Sequence, residues 1–256
     1  MSIPFEQSSL LVGVPGVRHG FFGRRGGHST GDFASLNASE AVGDKPAFVA
    51  ANRADILDAL DMGHATVAQV TQVHANRVIT LDDPHQAAAR PEADAIVTAT
   101  PGIMLGILTA DCAPILLCDP GAAVIGAAHA GWKGALSGII GNTVDAMLRL
   151  GARRERLVAA IGPTISLANY EVGPEFVANL LRQHRDAGNR VSRPDGGREH
   201  FDLPGFVFDQ LIEAGVGKVN DLARCTYANS KHYFSHRRAT HEGKKAGRQI
   251  SMIGLA

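Results

Sequence analysis

Three cysteines in 256 residues, aromatics at 5% and a formal charge of zero are the scarcities that bound this chain first. An odd, small cysteine set (Cys112, Cys118, Cys225) does not make a disulfide framework. Free thiols are expected, as core filler, metal ligands or nucleophiles. Twenty-five Lys plus Arg balance twenty-five Asp plus Glu, and no basic stripe stands out. That argues against nucleic acid as a partner, and the few aromatics argue against a stacking platform for single strands. Long hydrophobic runs are also missing. The longest apolar stretch, Ile103 to Cys118, is interrupted by Asp111, and is too short and too polar to span a bilayer. The first residues, MSIPFEQSSLLVGVPG, lack the basic start and long apolar run of a secretory signal. A cytoplasmic protein with no membrane partner is the expectation. There is no internal repeat, no Walker spacing and no G-x-G-x-x-G, so no nucleotide fingerprint is present.

What is there is an ordinary globular composition, 45% apolar. Gly-rich, polar Arg185–Glu199 reads as a surface loop, and composition does not change across it, so one domain over 1–256 is expected. Short apolar runs predict strands at Val67–Val73, Asp94–Ala99, Ile103–Thr109, Pro114–Asp119 and Ala122–His129, with Asp119-Pro120-Gly121 as a turn. Their closeness in sequence predicts neighbours in one mixed or antiparallel sheet. Helical spacing predicts a helix capped by Asp44, one from about Gly134 to Leu150 stopped by Gly151, one from Pro174 and one after Pro204. The sum is an α+β class: a single-domain layered fold with a mixed β-sheet flanked by helices.

Three fragments carry chemistry. TADCAP places Asp111 and Cys112 in a break between two apolar strands. A carboxylate buried there needs a partner. Taken alone, the fragment reads as a turn whose Asp caps a backbone group and whose Cys packs in the core. AAHAGWKG ends a strand at His129 and leads through glycines into a helix, with Lys133 adding charge. That suits either a cradle for phosphate or carboxylate or a tight turn beside Trp132. TQVH ends another strand at His74. If these strands are neighbours, His74, Cys112 and His129 converge at one sheet edge. Two imidazoles and a thiolate are good zinc ligands, and three protein ligands leave a fourth position open, the pattern of a catalytic site. The spacings of 38 and 17 residues match no short metal motif. Arg24 and Arg25 in FFGRRGG, and Arg237 and Arg238 in YFSHRR, suit bidentate phosphate recognition or a solvated surface.

In order, HGFFGRRGGHSTGDFASLN, TQVH, EADAIVT, TADCAP, AAHAGWKGAL, IGPTISLANYEVGPEF and CTY…YFSHRR…GR resemble the multicopper polyphenol oxidase (laccase)/purine nucleoside phosphorylase family, which includes peptidoglycan editing factors. The resemblance runs from His19 to Arg248. It implies a YfiH-like single-domain layered fold, metal ligation by His74, Cys112 and His129, and zinc, or copper, as cofactor. It further implies phosphorolysis of purine nucleosides (adenosine, inosine, methylthioadenosine) beside adenosine deamination, with a nucleoside and phosphate as small-molecule partners. Asp111 and Cys112 become catalytic candidates, Asp111 as a proton carrier. Arg24, Asn37, Lys133, Arg237 and Arg238 are expected to line the pocket and hold substrate or phosphate. The alternative is a hydrolase editing UDP-muramyl amino acid precursors, with a copper phenol oxidase third, because none of the eleven histidines forms an H-x-H pair. Departures from the family pattern are Lys133, where arginine is common, SLNAS for SLN-L-G, and SHRRAT for S-Y-R-R-D-G.

Overall fold

Fourteen strands and seven α-helices are seen in a computed structural model that describes residues 3–194 and 196–256. The strands are β1 Phe5–Glu6, β2 Val17–Phe22, β3 Thr66–Ala68, β4 Val78–Leu81, β5 Ala95–Thr98, β6 Ile103–Thr109, β7 Ala113–Asp119, β8 Val124–Ala130, β9 Val158–Ile161, β10 Glu171–Val172, β11 Val191–Ser192, β12 Glu199–Phe201, β13 Lys218–Asp221 and β14 Gln249–Leu255. The helices are α1 Ser9–Val12, α2 Pro46–Ala59, α3 Trp132–Leu136, α4 Ile139–Arg149, α5 Pro174–Gln183, α6 Leu203–Glu213 and α7 His236–His241.

The predicted α+β layered class holds, but the single sheet does not. There are two large mixed sheets, ordered β1-β2-β14-β6-β3 and β13-β9-β7-β8-β5-β4, and a small one, β10-β12-β11. β6 joins the first sheet, between β14 and β3, while its sequence neighbours β5, β7 and β8 join the second. The layers follow from which side chains share a core. Leu105, Ile107 and Ile253 of the first sheet pack against Leu116, Ile125 and Ala160 of the second. The outer face of the first sheet, with Met104 and Met252, is covered by Ile56 and Leu60 at α2. The outer face of the second, with Ile115, Leu117 and Ala128, is covered by Ile140, Val144, Leu180 and Val207 of α4, α5 and α6. Each central strand is therefore buried on both faces, which is why β7 and β8 read as continuous apolar runs rather than alternating ones.

Other boundaries shift for local reasons. The helix expected over Gly134–Leu150 is two helices, divided at Gly138, whose φ of 92° breaks the helical path. Gly151, at φ 96°, provides the expected stop. Asp44 is not the cap of α2: Lys45 takes that place, and the Asp44 carboxylate accepts from Ser29 Oγ and Asn37 Nδ2 instead. The expected loop 185–199 contains a 3₁₀ turn over Arg185–Arg190 and pairs β11 with β12 as a hairpin; Asp195 within it lies outside the described residues. No helix among the described residues is long and apolar enough to cross a membrane.

Candidate metal centre

Strand period places the first candidate ligand. Along β8, Ile125 and Ala127 face the other sheet, so His129, two residues on, points the same way at the strand's end. β7 pairs antiparallel with β8, Ala113 opposite Ala130, which sets Cys112 beside the end of β8. His74 arrives from a turn in which it adopts φ 60°, a left-handed conformation uncommon for a non-glycine residue.

That turn is held by Asp94, fully buried at the head of β5. Its carboxylate accepts the backbone N–H groups of His74 (3.0 Å) and Ala75 (2.7 Å), and the ring Nδ1–H of His129 (2.7 Å). One acidic side chain thus fixes the backbone of one histidine and the tautomer of the other, leaving His129 Nε2 to face the centre. Burial works against this carboxylate's charge, but hydrogen bonds from His129 and the two amides outweigh it and hold Asp94 below the usual range. Asp94 escaped the sequence reading as a site residue; its signal was an acid opening an otherwise apolar run. Asp94→Asn is expected to lower metal affinity by about 10–100-fold with the fold retained. Competition with a chromogenic chelator measures this, and unchanged affinity would remove Asp94 from the site.

The ligating atoms of His74, Cys112 and His129 lie within 4.8 Å of one another, and no second cluster of this kind occurs among the described residues. Cys112 Sγ is 3.9 Å from His74 Nε2, and the two rings meet edge to face at 4.8 Å between centroids. Bond lengths to zinc of about 2.0–2.3 Å put tetrahedral ligands roughly 3.3–3.7 Å apart, so a closure near 1 Å completes the set. The space between them is already reserved. A Cβ built on Gly131 would stand 2.9 Å from His74 Cδ2, 3.0 Å from Cys112 Sγ and 3.7 Å from His129 Cε1. Gly131 has φ −73°, which any residue tolerates, so glycine is required there by room rather than by backbone conformation. The donor set and this gap together fit one metal ion.

Electrostatics agree. Burial pushes the Cys112 thiol up, but His129 and then His74 outweigh it and bring it to about 6. Burial pulls the His129 imidazolium down, yet Cys112 and Asp94 raise it to about 9. Both shifts favour thiolate beside imidazolium in the metal-free pair. Metal ligation needs thiolate and neutral imidazole, so binding displaces one proton from the pair. Apparent affinity is expected to fall as pH drops, by up to about tenfold per unit while one proton is displaced, and more steeply in acid, where Cys112 also holds a proton. Chelator competition across pH checks the slope; an affinity independent of pH would contradict it.

The centre forms part of the wall of a cavity of about 700 Å³. Arg53, Arg90, Arg248 and His236 also line it, with Glu40 as its acid. Of the sequence-predicted site residues, the three candidate ligands line this cavity. Asp111 sits beside it at φ 94°, its two carboxylate oxygens accepting from Thr226 Oγ1 (2.6 Å) and the Arg237 N–H (2.7 Å). It thereby fixes the turn that presents Cys112. Arg24, Asn37, Lys133, Arg237 and Arg238, expected to hold substrate or phosphate, are not among the residues that line this cavity. Asn37 is buried and tied to Ser39, Asp44 and the Arg248 N–H. Lys133 is exposed, 5.5 Å from the Trp132 ring centroid. Arg237 lies over Tyr170 and donates to the Glu171 carbonyl. Arg24 and Arg238 line a different cavity. The arginines in the cleft were missed because they come from α2, a loop end and the approach to β14, which only the fold brings together. Gln72 is a clamp: its amide donates to the Leu108 carbonyl at 2.8 Å and accepts the Leu108 N–H at 2.9 Å, as a neighbouring strand would.

Fold and site together define a class: layered α+β proteins carrying a His–Cys–His cluster, able to hold a metal ion, on the wall of a basic cleft. Within that class the chain belongs to the multi-copper polyphenol oxidoreductase laccase family, whose model matches residues 18–256. A purine nucleoside phosphorylase of Deinococcus radiodurans is 43% identical over 93% of this chain and 89% of its own. A relative from Streptomyces griseus, also named a purine nucleoside phosphorylase, is 39% identical over 91% of this chain and 94% of its own. Among solved structures, a Neisseria meningitidis protein superposes with TM-score 0.87 at 30% identity, covering 100% of this chain and 99% of the other. YlmD of Geobacillus stearothermophilus does so with TM-score 0.85 at 29% identity, covering 99% of each.

Proposed function

We propose that this chain is a zinc-dependent purine nucleoside phosphorylase, acting on adenosine, inosine and methylthioadenosine, with adenosine deamination as a second reaction of the same cleft. One observation carries it: three ligand atoms within 4.8 Å surround a gap kept open by Gly131 and adjoin a cationic cavity of nucleoside size. The names of relatives at 37–43% identity supply the substrate class. Zinc at His74, Cys112 and His129 would supply Lewis acidity and a lowered pKa for water.

The residues of the chain do the rest. In phosphorolysis a phosphate oxygen attacks the anomeric carbon, the carbon–nitrogen bond to the base breaks, and the base leaves with a proton. Arg248, Arg53 and Arg90 line the cleft and are the cations placed to hold phosphate there, a role the sequence had pointed to in Lys133 and the arginines of FGRRGG and SHRR. In deamination water adds to the purine carbon bearing the amine and ammonia leaves. Asp111 acts in both as the anchor of the Cys112 turn; a proton relay through it requires its bond to Thr226 or to the Arg237 amide to open. Cys112 serves as ligand, with His129 and His74 favouring its thiolate. A multicopper oxidase is disfavoured because one three-ligand cluster fits a single ion, not several. A cytoplasmic setting suits free thiols and soluble nucleosides.

Adenosine incubated with metal-loaded protein is expected to give adenine and ribose 1-phosphate only when phosphate is present, and inosine in its absence. Phosphate-independent product ratios, or no turnover by the loaded protein, would contradict the reading.

A further inference from the structure

A second cavity, of about 220 Å³, is lined by Arg24, Arg238, Lys244 and Lys245, with Asp32 and Glu242 as its acids. Four cations face two carboxylates. Glu242 is engaged by Arg238 (2.8 Å) and Lys244 (2.9 Å). Arg24 is half-buried and enters no ion pair among the described residues. Its Nε donates to the Ala34 carbonyl (2.8 Å), its Nη1 to the Ser230 carbonyl (3.1 Å), and its plane lies over Phe234 at 4.6 Å. Those contacts hold the guanidinium in place, and its Nη2 has no hydrogen-bond partner among the described residues. On Arg238, Nε and Nη1 are likewise taken, by Glu242 and the Tyr227 carbonyl, and Nη2 has no partner among the described residues.

Carbonyl oxygens satisfy N–H groups but do not neutralise a charge drawn out of water. Burial accordingly works against the Arg24 cation more than the longer-range pull of Glu242 and Asp32 supports it. We propose that this cavity is a binding site for a small oxyanion of the phosphate class, separate from the metal cleft. Guanidinium donors held in place by protein contacts are the kind that pair with phosphate oxygens, and the exposed Lys245, whose ammonium enters no ion pair among the described residues, adds positive charge to the lining. The volume falls below the roughly 300–1,000 Å³ of drug-sized ligand pockets, which selects inorganic phosphate or a short phosphomonoester over a whole nucleotide. The site also touches the cleft through the backbone. Ser235 and Ala246 line the second cavity, while His236 and Arg248, one and two residues on, line the first.

The test is a titration of the full-length protein with inorganic phosphate and, separately, methyl phosphate. It follows the Nε–H signals of Arg24 and Arg238 and the amide signals of Ser235 and Ala246 by ¹H–¹⁵N NMR. Saturable shifts with a midpoint at or below about 1 mM are expected for at least one probe. Which probe binds tighter separates free phosphate from an ester as the occupant. Lys245→Glu, an exposed change that spares the fold, is expected to weaken binding about tenfold; Arg90→Gln, in the cleft, leaves it unchanged. Absence of saturable shifts at these signals with both probes, or binding lost in Arg90→Gln and kept in Lys245→Glu, overturns the proposal. No turnover is read, so failure here is distinct from failure of the phosphorylase reading.

Discussion

Gly131→Ala is expected to empty the metal centre while the chain stays folded. The added methyl occupies the gap among the three ligands, 2.9 Å from one ring and 3.0 Å from the sulfur. Neither neighbour can retreat cheaply, since His74 is held by the Asp94 turn and Cys112 by the Asp111 turn. Backbone strain is not at issue, because alanine accepts the φ of this position. Metal affinity should fall by more than the roughly 10–100-fold that outer-shell changes cause, and activity should fall with it. The melting temperature of the metal-free variant should fall by several degrees from the metal-free parent, as expected for an overpacking cost of about 1–3 kcal/mol, with the fold retained. Metal retention at parental affinity would mean that the ligands do not close around this gap.

Cys112→Ser carries the second large effect. Serine is nearly isosteric but stays protonated at neutral pH, so the centre loses its anionic ligand. The negative partner that raises His129 is lost with it. kcat/KM for adenosine phosphorolysis should drop by more than about 10³, beyond the loss of a single electrostatic stabiliser. The same change reports on the ion pair. With the thiolate gone, His129 keeps only Asp94 as its negative partner, so its folded pKa moves down from about 9. The stability that the raised His129 pKa lends the metal-free fold is present below the free value of 6.5 and lost as pH rises through the folded value. In the parent, thiolate formation at Cys112 offsets that loss over the same range, because its contribution is absent below about 6 and grows as pH rises. The parent should therefore show little pH slope from this pair between about 6.5 and about 9, whereas Cys112→Ser should lose stability as pH rises through the lowered His129 value. Parallel stability–pH curves for the two proteins would contradict the pairing.

Much of this was legible in the sequence because the ligands sit where apolar runs stop. TQVH, TADC and AAHAG each end a buried strand or enter a turn. The three candidate ligands were open to reading by residue type and by resemblance, and their approach to one another followed from the pairing of β7 with β8 and from the Asp94 turn. What failed was everything that depends on which sheet a strand joins. Ile103–Thr109 is indistinguishable by pattern from its neighbours, since all are buried on both faces; only the long-range pairing with β14 draws it into the other sheet. The arginines of the metal cleft were hidden for a related reason. Arg24 and Arg238 stand in eye-catching clusters, yet their neighbours in chain are not their neighbours in space. Arg53 lies inside an ordinary helix and Arg248 at the mouth of the last strand, with no local signature of a cleft. Asp94 was quoted in a motif and still overlooked, because its work is to brace two other residues rather than to ligate.

X-ray absorption at the zinc edge, on protein never exposed to chelator, tests the account most directly. One zinc per chain is predicted, with a single sulfur near 2.3 Å and nitrogens at about 2.0–2.1 Å, the sulfur vanishing in Cys112→Ser. A spectrum without metal–sulfur scattering, or several metal ions per chain, would contradict it.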